Sequence, residues 1–360
     1  MRILLFVGTV DFVLSLIGYL YYRHTLPVGR TPAFGLLYLL LALGAAVSVI
    51  LPQGTPTLLL KLTAWLEGLW IAFSYYTILL ALLHLLCWLL SRLGGWTLPS
   101  AKLSVLGLAF ICCFITWGSW RAFHPTVRTE ALVTAKLPQS ANYKIVFLTD
   151  LHLGRILGHA YAERLAARVN AEKPDFVVVS GDMLDERLFY VEEEDTLSAL
   201  AQIKAPVYMA FGNHDYLDQP LRWQQMLTEK GFHVLRNADT VIDGRIKITG
   251  IDDYSKERTA KQLLNLAGAN KSYYSILLDH QPRRMDAAAA AGYDLYLAGH
   301  THTGQLFPNR IVTKMMYKLD YGRTECGGLT AITSNGYGFW GPPVRTEVAP
   351  EMVVLQLRGE

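Results

Sequence analysis

The sequence predicts two unlike parts: an N-terminal four-helix transmembrane bundle, then an α/β sandwich of two mixed β-sheets flanked by helices. Three observations carry this. The 360 residues are 52% hydrophobic and 18% charged, with a mean hydropathy of +0.24; a soluble chain is nearer about 25% charged. The charge is also unevenly spread, since residues 1–121 hold seven Lys and Arg and two acids, whereas 122–360 hold 26 and 28. From Tyr143 onward, short β-rich runs alternate with amphipathic stretches, the pattern of helices covering sheets. A single soluble domain and a disordered chain are both excluded. The later part has no basic excess, so no nucleic-acid partner is expected. Four cysteines (Cys87, Cys112, Cys113, Cys326) make no disulfide framework and leave the redox compartment open.

In the first part, residues 1–121, apolar runs cover about 3–22, 33–51, 68–90 and 103–120. Each approaches the roughly 20 residues a helix needs to cross a bilayer. Leu26-Pro27-Val28-Gly29-Arg30, Leu51-Pro52-Gln53-Gly54 and Arg92-Leu93-Gly94-Gly95 separate them. A cleaved leader would explain one run, not four. Six of the eight Trp lie here, several near run ends, as in an interfacial aromatic belt. Asp11 and Glu67 stand in or beside these runs; local pairing within the bundle is the preferred reading, and His84 is read as a packed, hydrogen-bonded histidine. A multi-pass protein of a bacterial cell membrane is expected. Flanking basic residues nearly balance, but the first helix favours Arg23 and Arg30 inside, which points the later domain away from the cytoplasm.

Residues 122–142 read as a linker, and the sandwich is expected over 143–360. Strands are predicted near 144–148, 175–180, 205–210, 233–236, 246–250, 274–278, 294–298, 329–333 and 352–357. Helices are predicted near 158–171, 192–203 and 219–230.

Polar clusters stand at the strand ends. The first strand runs into Asp150-Leu151-His152, the second into Gly181-Asp182-Met183-Leu184-Asp185, and the third into Gly212-Asn213-His214-Asp215. Later strands end at His280-Gln281-Pro282 and Gly299-His300-Thr301-His302. Ligand sites of α/β sheets lie off the carboxyl ends of strands, so five clusters at five such ends converge. Carboxylate, amide and imidazole without thiolate suit Mn, Fe or Zn rather than a structural Cys site. Seven candidate ligands (Asp150, His152, Asp182, Asn213, His280, His300, His302) exceed what one ion takes. Two divalent ions sharing a carboxylate fit better, and such a pair clamps a phosphoryl displacement. Gly181, Gly212 and Gly299 are expected to let the backbone turn tightly beneath the ions.

In this order, D-x-H, G-D-x-x-D, G-N-H-D, a lone His and G-H-x-H resemble the calcineurin-like metallophosphoesterase superfamily, over about 140–360. The Leu278-Asp279-His280-Gln281-Pro282 and Gly338-Phe339-Trp340-Gly341-Pro342-Pro343-Val344-Arg345 segments look most like its membrane-associated YkuE/YaeI-type branch. The resemblance implies that Asp150, His152 and His302 hold one metal, that Asn213, His280 and His300 hold the other, and that Asp182 bridges both with a water or hydroxide. It implies that His214 protonates the leaving group or steadies the phosphoryl oxygens, and that the Asp185 carboxylate orients His214. The bridging hydroxide would attack phosphorus in line.

Some features depart from that pattern. Thr303 stands where the branch more often has Gly, narrowing the approach beside His302. Arg283 follows the His280 motif where an acid is common; Arg283 or Arg284 could meet a substrate phosphate, with solvated surface the preferred reading. Absence of Arg-Gly after the second motif argues against protein phosphatase activity. Asp215 is left between a site role and structural hydrogen bonding, and Tyr337, Phe339 and Trp340 between pocket mouth and core. His124, His159 and His233 belong to no motif.

The expected function is membrane-anchored, two-metal hydrolysis of a phosphomonoester or phosphodiester, with lipid phosphates or lipid pyrophosphates as candidate substrates and membrane lipids as partners. The alternative is a non-catalytic, metal-binding regulatory membrane module. The oligomeric state is left open.

Overall fold

The computed structural model describes residues 2–51, 55, 57–256 and 272–360. The chain divides into two compact units. One holds Met1–Trp120 with Gly341–Thr346, and the other holds Arg121–Trp340 with Glu347–Glu360.

The first unit contains α1 (Arg2–Thr25), α2 (Pro32–Ile50), α3 (Thr57–Gly94) and α4 (Ser100–Ala122). From Pro52 on, the expected separator 51–54 lies outside the described residues. Pro32 at the first turn of α2, with Thr31 Oγ1 accepting from the Phe34 N–H, starts that helix. Tyr22, Tyr38 and Trp70 form an aromatic cluster joining α1, α2 and α3, in which Trp70 Nε1 donates to Ser15 Oγ at 2.8 Å. His84 lies between Tyr21 (3.1 Å) and Ser100 (3.0 Å), so it is hydrogen-bonded and packed, as expected. The late segment Gly341–Thr346 belongs with these helices: Arg345 N donates to Gly118 O, and Ser119 Oγ to Pro343 O.

The four-span expectation needs correction. Among the described residues, only α3 (38 residues) and α4 (23 residues) are long and apolar enough to cross a membrane. The described apolar stretch of α2, Pro32–Val47, is shorter; it rises about 24 Å, less than the roughly 30 Å hydrocarbon core. In α1, Asp11 and Arg23 bracket the described apolar stretch. Helices stand in all four expected places, but among the described residues two are of spanning length and apolarity.

The second unit begins where a linker was expected. Residues Thr126–Thr134 form strand β1, paired in parallel with the last strand, β12 (Glu351–Gly359). The first sheet runs β1-β12-β2-β3-β4-β5, with β2 (Asn142–Leu148), β3 (Phe176–Ser180), β4 (Val207–Ala210) and β5 (His233–Val234). The second runs β10-β11-β9-β8-β7-β6, from β6 (Ala238–Ile242), β7 (Ile246–Gly250), β8 (Tyr274–Leu278) and β9 (Leu295–Ala298) to β10 (Gly322–Cys326) and β11 (Leu329–Thr333). Each sheet is mixed: β12 is antiparallel to β2, as are β6 to β7 and β10 to β11.

The apolar β runs explain the layers. Ile145, Phe147 and Val178 of the first sheet share one core with Ile248, Ile276, Leu278 and Leu297 of the second. The opposite face of the first sheet (Val146, Val177, Val179) packs on α5 (His159–Glu172), α6 (Leu188–Glu193), α7 (Thr196–Leu200) and α8 (Pro220–Glu229). The opposite face of the second packs on α9 (Met285–Ala290). Strands buried on both faces need continuous rather than alternating apolar runs, and Phe147 shows the consequence: it is fully buried, so truncation to Ala would cost about 3–5 kcal/mol. One more short helix, α10 (Arg310–Met316), precedes β10.

Candidate metal centre

The aspartates and histidines predicted from the strand ends arrive at one place. The loops after β2, β3 and β4 bring Asp150, His152, Asp182, Asn213 and His214, and those after β8 and β9 bring His280, His300 and His302. The aspartates and histidines gather in three groups whose ligand atoms lie within 4.8 Å of one another: Asp150 with His152 and His302, Asp182 with His280 and His300, and His152 with Asp185 and His214; Asn213 precedes His214, whose N–H donates to Asp182 Oδ1 at 2.8 Å. In the first group, His152 Nε2 and His302 Nε2 are 3.0 Å apart, and His302 Nε2 lies 3.4 Å from Asp150 Oδ1. In the second, His280 Nε2 is 3.0 Å from Asp182 Oδ2 and 3.2 Å from His300 Nδ1. Asp182 Oδ2 also lies 3.9 Å from His152 Nε2, so this carboxylate stands between the groups.

The local backbone is strained to achieve this. Asp150, His152, Asp182, His300 and His302 all adopt left-handed conformations, with φ between 46° and 70°. Non-glycine residues avoid that region, and its concentration at one place marks a functional site. The three neighbouring glycines differ in role. Gly181 does take a positive φ of 83°, but Gly212 and Gly299 do not. They are needed for close approach: a methyl group at Gly212 would strike Asp182 Oδ1, and one at Gly299 would strike Asp150 Oδ2.

Outer hydrogen bonds orient the imidazoles. His280 Nδ1 pairs with Ser180 O at 2.8 Å, and His152 Nδ1 with Asp185 Oδ1 at 3.0 Å, which leaves each Nε2 facing inward. The Asp185 carboxylate was expected on His214. It lies nearer His152, with Oδ1 3.8 Å from His214 Nδ1, while its main-chain carbonyl accepts from His214 Nδ1 at 2.6 Å. Asp215 is structural: its buried carboxylate accepts from the N–H groups of Asp182, Leu184 and Gly212 and from Trp223 Nε1, tying the second and third loops together.

The electrostatics describe a site built around positive charge. Burial pulls His280 down, but Asp182, then Asp150 and Asp253, carry it well above the ordinary imidazole value. His152 is likewise raised: burial opposes, and Asp185, Asp182 and Asp150 win. Burial would raise Asp182, yet His280 first, then His214 and His152, hold it below the usual carboxylate range. Burial, with Asp182 adding to it, raises Asp150. Burial and the nearby His280 charge lower His300 to about 3.

Does this donor set fit divalent metal ions? Two pairs of imidazole nitrogens converge, which suits a shared cation better than a hydrogen bond. Asn213 Oδ1 is buried with no hydrogen-bond partner among the described residues, a costly arrangement unless an ion completes it. Carboxylates and imidazoles without thiolate are ligands of Mn, Fe or Zn. The residues fit.

The comparisons agree with the geometry. The calcineurin-like phosphoesterase family model matches residues 143–304. An uncharacterized metallophosphoesterase of Aquifex aeolicus is 32% identical over 247 residues, covering 65% of this chain and 92% of that protein. The chain belongs to the calcineurin-like metallophosphoesterase family. It is thereby a hydrolase acting on phosphate esters, and the non-catalytic alternative gives way. Two further relatives are the uncharacterized metallophosphoesterase Cj0846 of Campylobacter jejuni, 31% identical over 71% of this chain and 70% of that protein, and a transmembrane protein with metallophosphoesterase domain of Danio rerio, 29% identical over 72% of this chain and 63% of that protein. None singles out the YkuE/YaeI branch.

The rim resolves several open readings. Tyr337 and Phe339 are core, whereas Trp340 is 56% exposed with its ring 6.0 Å from His214. Thr303 is fully buried in a left-handed conformation (φ 53°), with Oγ1 unpartnered among the described residues. His159 and His233 stand outside the site, against Glu194 and Tyr208. Sequence reasoning does not single out Asp253 or Tyr317. No motif marks them, and only the fold brings them beside Gln281 and His300.

Proposed function

We propose a membrane-associated, two-metal phosphoesterase acting on a phosphomonoester or phosphodiester carried by an amphiphile. One observation carries the two-metal part: the buried Asp182 carboxylate stands 3.0 Å from His280 and 3.9 Å from His152, between two clusters of ligand atoms. In this reading Asp150, His152 and His302 hold one divalent ion, and Asn213, His280 and His300 hold the other. Asp182 is shared. When bound, the ions supply Lewis-acid activation and a nucleophile at neutral pH; Mn, Fe and Zn all suit the donors.

The chain's own residues do the rest. His214 keeps its Nδ1 on the Asp185 carbonyl, which frees Nε2 to hold a proton for the departing oxygen. The Asp185 carboxylate fixes the ring of His152. Asp215 holds the backbone from which Asp182 and His214 project.

Several features support an amphiphilic substrate. Trp340 at the His214 rim is exposed, as are Phe307, Ile311, Val312, Met315 and Met316 on and just before α10. A soluble domain seldom exposes so many large apolar groups together. The chain also carries two helices of membrane-spanning length, and the similar protein of Danio rerio is described as transmembrane. In the same reading the sandwich faces away from the cytoplasm, which impermeant labelling of Cys326 in intact cells tests; protection equal to that of a cytoplasmic marker rejects it.

The test of the activity is hydrolysis of an aryl phosphodiester by the full-length protein with Mn, with chelator, and as Asp182→Ala. Turnover that needs metal and disappears in the variant is expected. Equal rates in wild type and Asp182→Ala reject the reading.

A further inference from the structure

Two adjacent arginines follow the His280 motif, and they have opposite fates. Arg284 is buried, its Nη1 bonded to Asp279 Oδ1 at 3.0 Å and to Asp252 O at 3.1 Å. It holds the loop. Arg283 is exposed yet not loose. Its Nε donates to Gln281 Oε1 at 3.1 Å and its Nη2 to the Tyr317 hydroxyl at 3.2 Å. The guanidinium carbon lies 4.5 Å from the centre of the Tyr317 ring and 5.5 Å from that of Tyr254. Gln281 is itself locked, with Nε2 donating to both carboxylate oxygens of the buried Asp253.

An ordinary surface arginine gives up about 2 kcal/mol of rotamer freedom to adopt one geometry. Here the cost is already met by two aromatic rings and two hydrogen bonds. Among the described residues, Arg283 Nη1 has no protein partner, and no acidic side chain pairs with this guanidinium. The cation is held in one geometry and open to solvent. It is also close to the metal centre, since the ring of Tyr317 packs edge-on against His300 at 6.0 Å.

We propose that Arg283, seated on Tyr317 and Tyr254, forms an anion subsite that takes a second, uncleaved anionic group of the substrate. This rests on the phosphoesterase reading and deepens it. The subsite lies beyond His300, so it meets a phosphate or carboxylate displaced from the phosphorus under attack, as in a substrate with two phosphates. A planar guanidinium with a free N–H edge recognises such a group by charge-assisted hydrogen bonds.

The test uses full-length protein with Mn and three matched esters: 4-nitrophenyl ethyl phosphate, and the same ester bearing a terminal phosphate or a terminal carboxylate on the ethyl group. All release nitrophenolate. The KM of the phosphate-bearing ester is expected to be at least about tenfold below that of the parent, the worth of one charge-assisted contact. The ratio should collapse toward one in Arg283→Ala and recover only in part in Arg283→Lys, which restores charge without the planar fork. The carboxylate ester shows whether the subsite prefers phosphate. A ratio unaltered by Arg283→Ala overturns the subsite. Binding is read separately, by calorimetric titration of methylphosphonate and methylenediphosphonate into the Mn-loaded wild type and both variants. Absence of turnover on all three esters therefore rejects the phosphodiesterase reading alone, and the subsite then stands or falls on whether Arg283→Ala abolishes the preference for the diphosphonate.

Discussion

The two sheets bring unlike chemistry to the centre. Within the three ligand-type groups, loops of the first sheet carry the carboxylates, Asp150, Asp182 and Asp185, together with His152 and His214, and loops of the second carry the imidazoles of His280, His300 and His302; the second sheet's own buried carboxylates, Asp253 and Asp279, are taken up by Gln281 and Arg284. The first sheet's loops alone would set three carboxylates against two imidazoles, and the second's would bring to the ligand groups imidazoles without a carboxylate. The site becomes favourable only when the shared core around Phe147 and Leu278 brings both sets of loops together. Ion binding and sandwich packing should therefore report on each other.

The sharpest way to break this comparison is at Asp182, which serves both sides. Asp182→Ala is expected to lower turnover by about a thousandfold or more, in line with loss of two-metal activation, and to remove both ions in elemental analysis. Retention of both ions in that variant would contradict a shared carboxylate. One step smaller is His280→Ala, whose ring belongs to the second sheet's set. It should lose a single ion equivalent, measured the same way, because Asp150, His152 and His302 remain. His214→Ala should keep both ions and lose about a hundredfold in turnover, with a larger loss for alkyl than for aryl leaving groups, since only the former need a proton.

The smallest effect sharpens the charge argument. With no cation bound, His280 and His152 titrate above the usual imidazole value because carboxylates surround them. Below those raised values both rings hold protons that an incoming ion must displace. Metal affinity should therefore rise with pH until the two rings are neutral, and fall as pH drops below that range. Titration of Mn by calorimetry in buffers of different ionisation enthalpy should detect proton release. A heat that does not depend on the buffer would mean that these rings are already neutral.

How much of this was legible before folding differs between centre and edge. The buried strands β2, β3, β8 and β9 announce themselves as apolar runs ending in polar clusters, so the candidate ligands could be listed in order. Three of the four edge strands could not be read. β1 lies within what looked like a linker, and β6 and β10 were unmarked. Each is half exposed, with polar residues throughout, so nothing in the local pattern separates it from a loop. β1 becomes a strand because β12, more than 200 residues later, offers it a partner. The helical region shows the opposite error, since apolar runs suggested four crossings, whereas among the described residues two helices are both long and apolar enough to span.

The sequence by itself determined which chemical groups meet, because strand ends of an α/β sandwich converge and the carboxylates and imidazoles sit at those ends. Only the tertiary structure decided what each neighbour does there. It turned the Asp185 carboxylate toward His152, buried Arg284 against Asp279, and laid Arg283 on Tyr317. These choices depend on atoms distant in the chain, and a side chain's role is set by the solvation and partners that packing assigns to it.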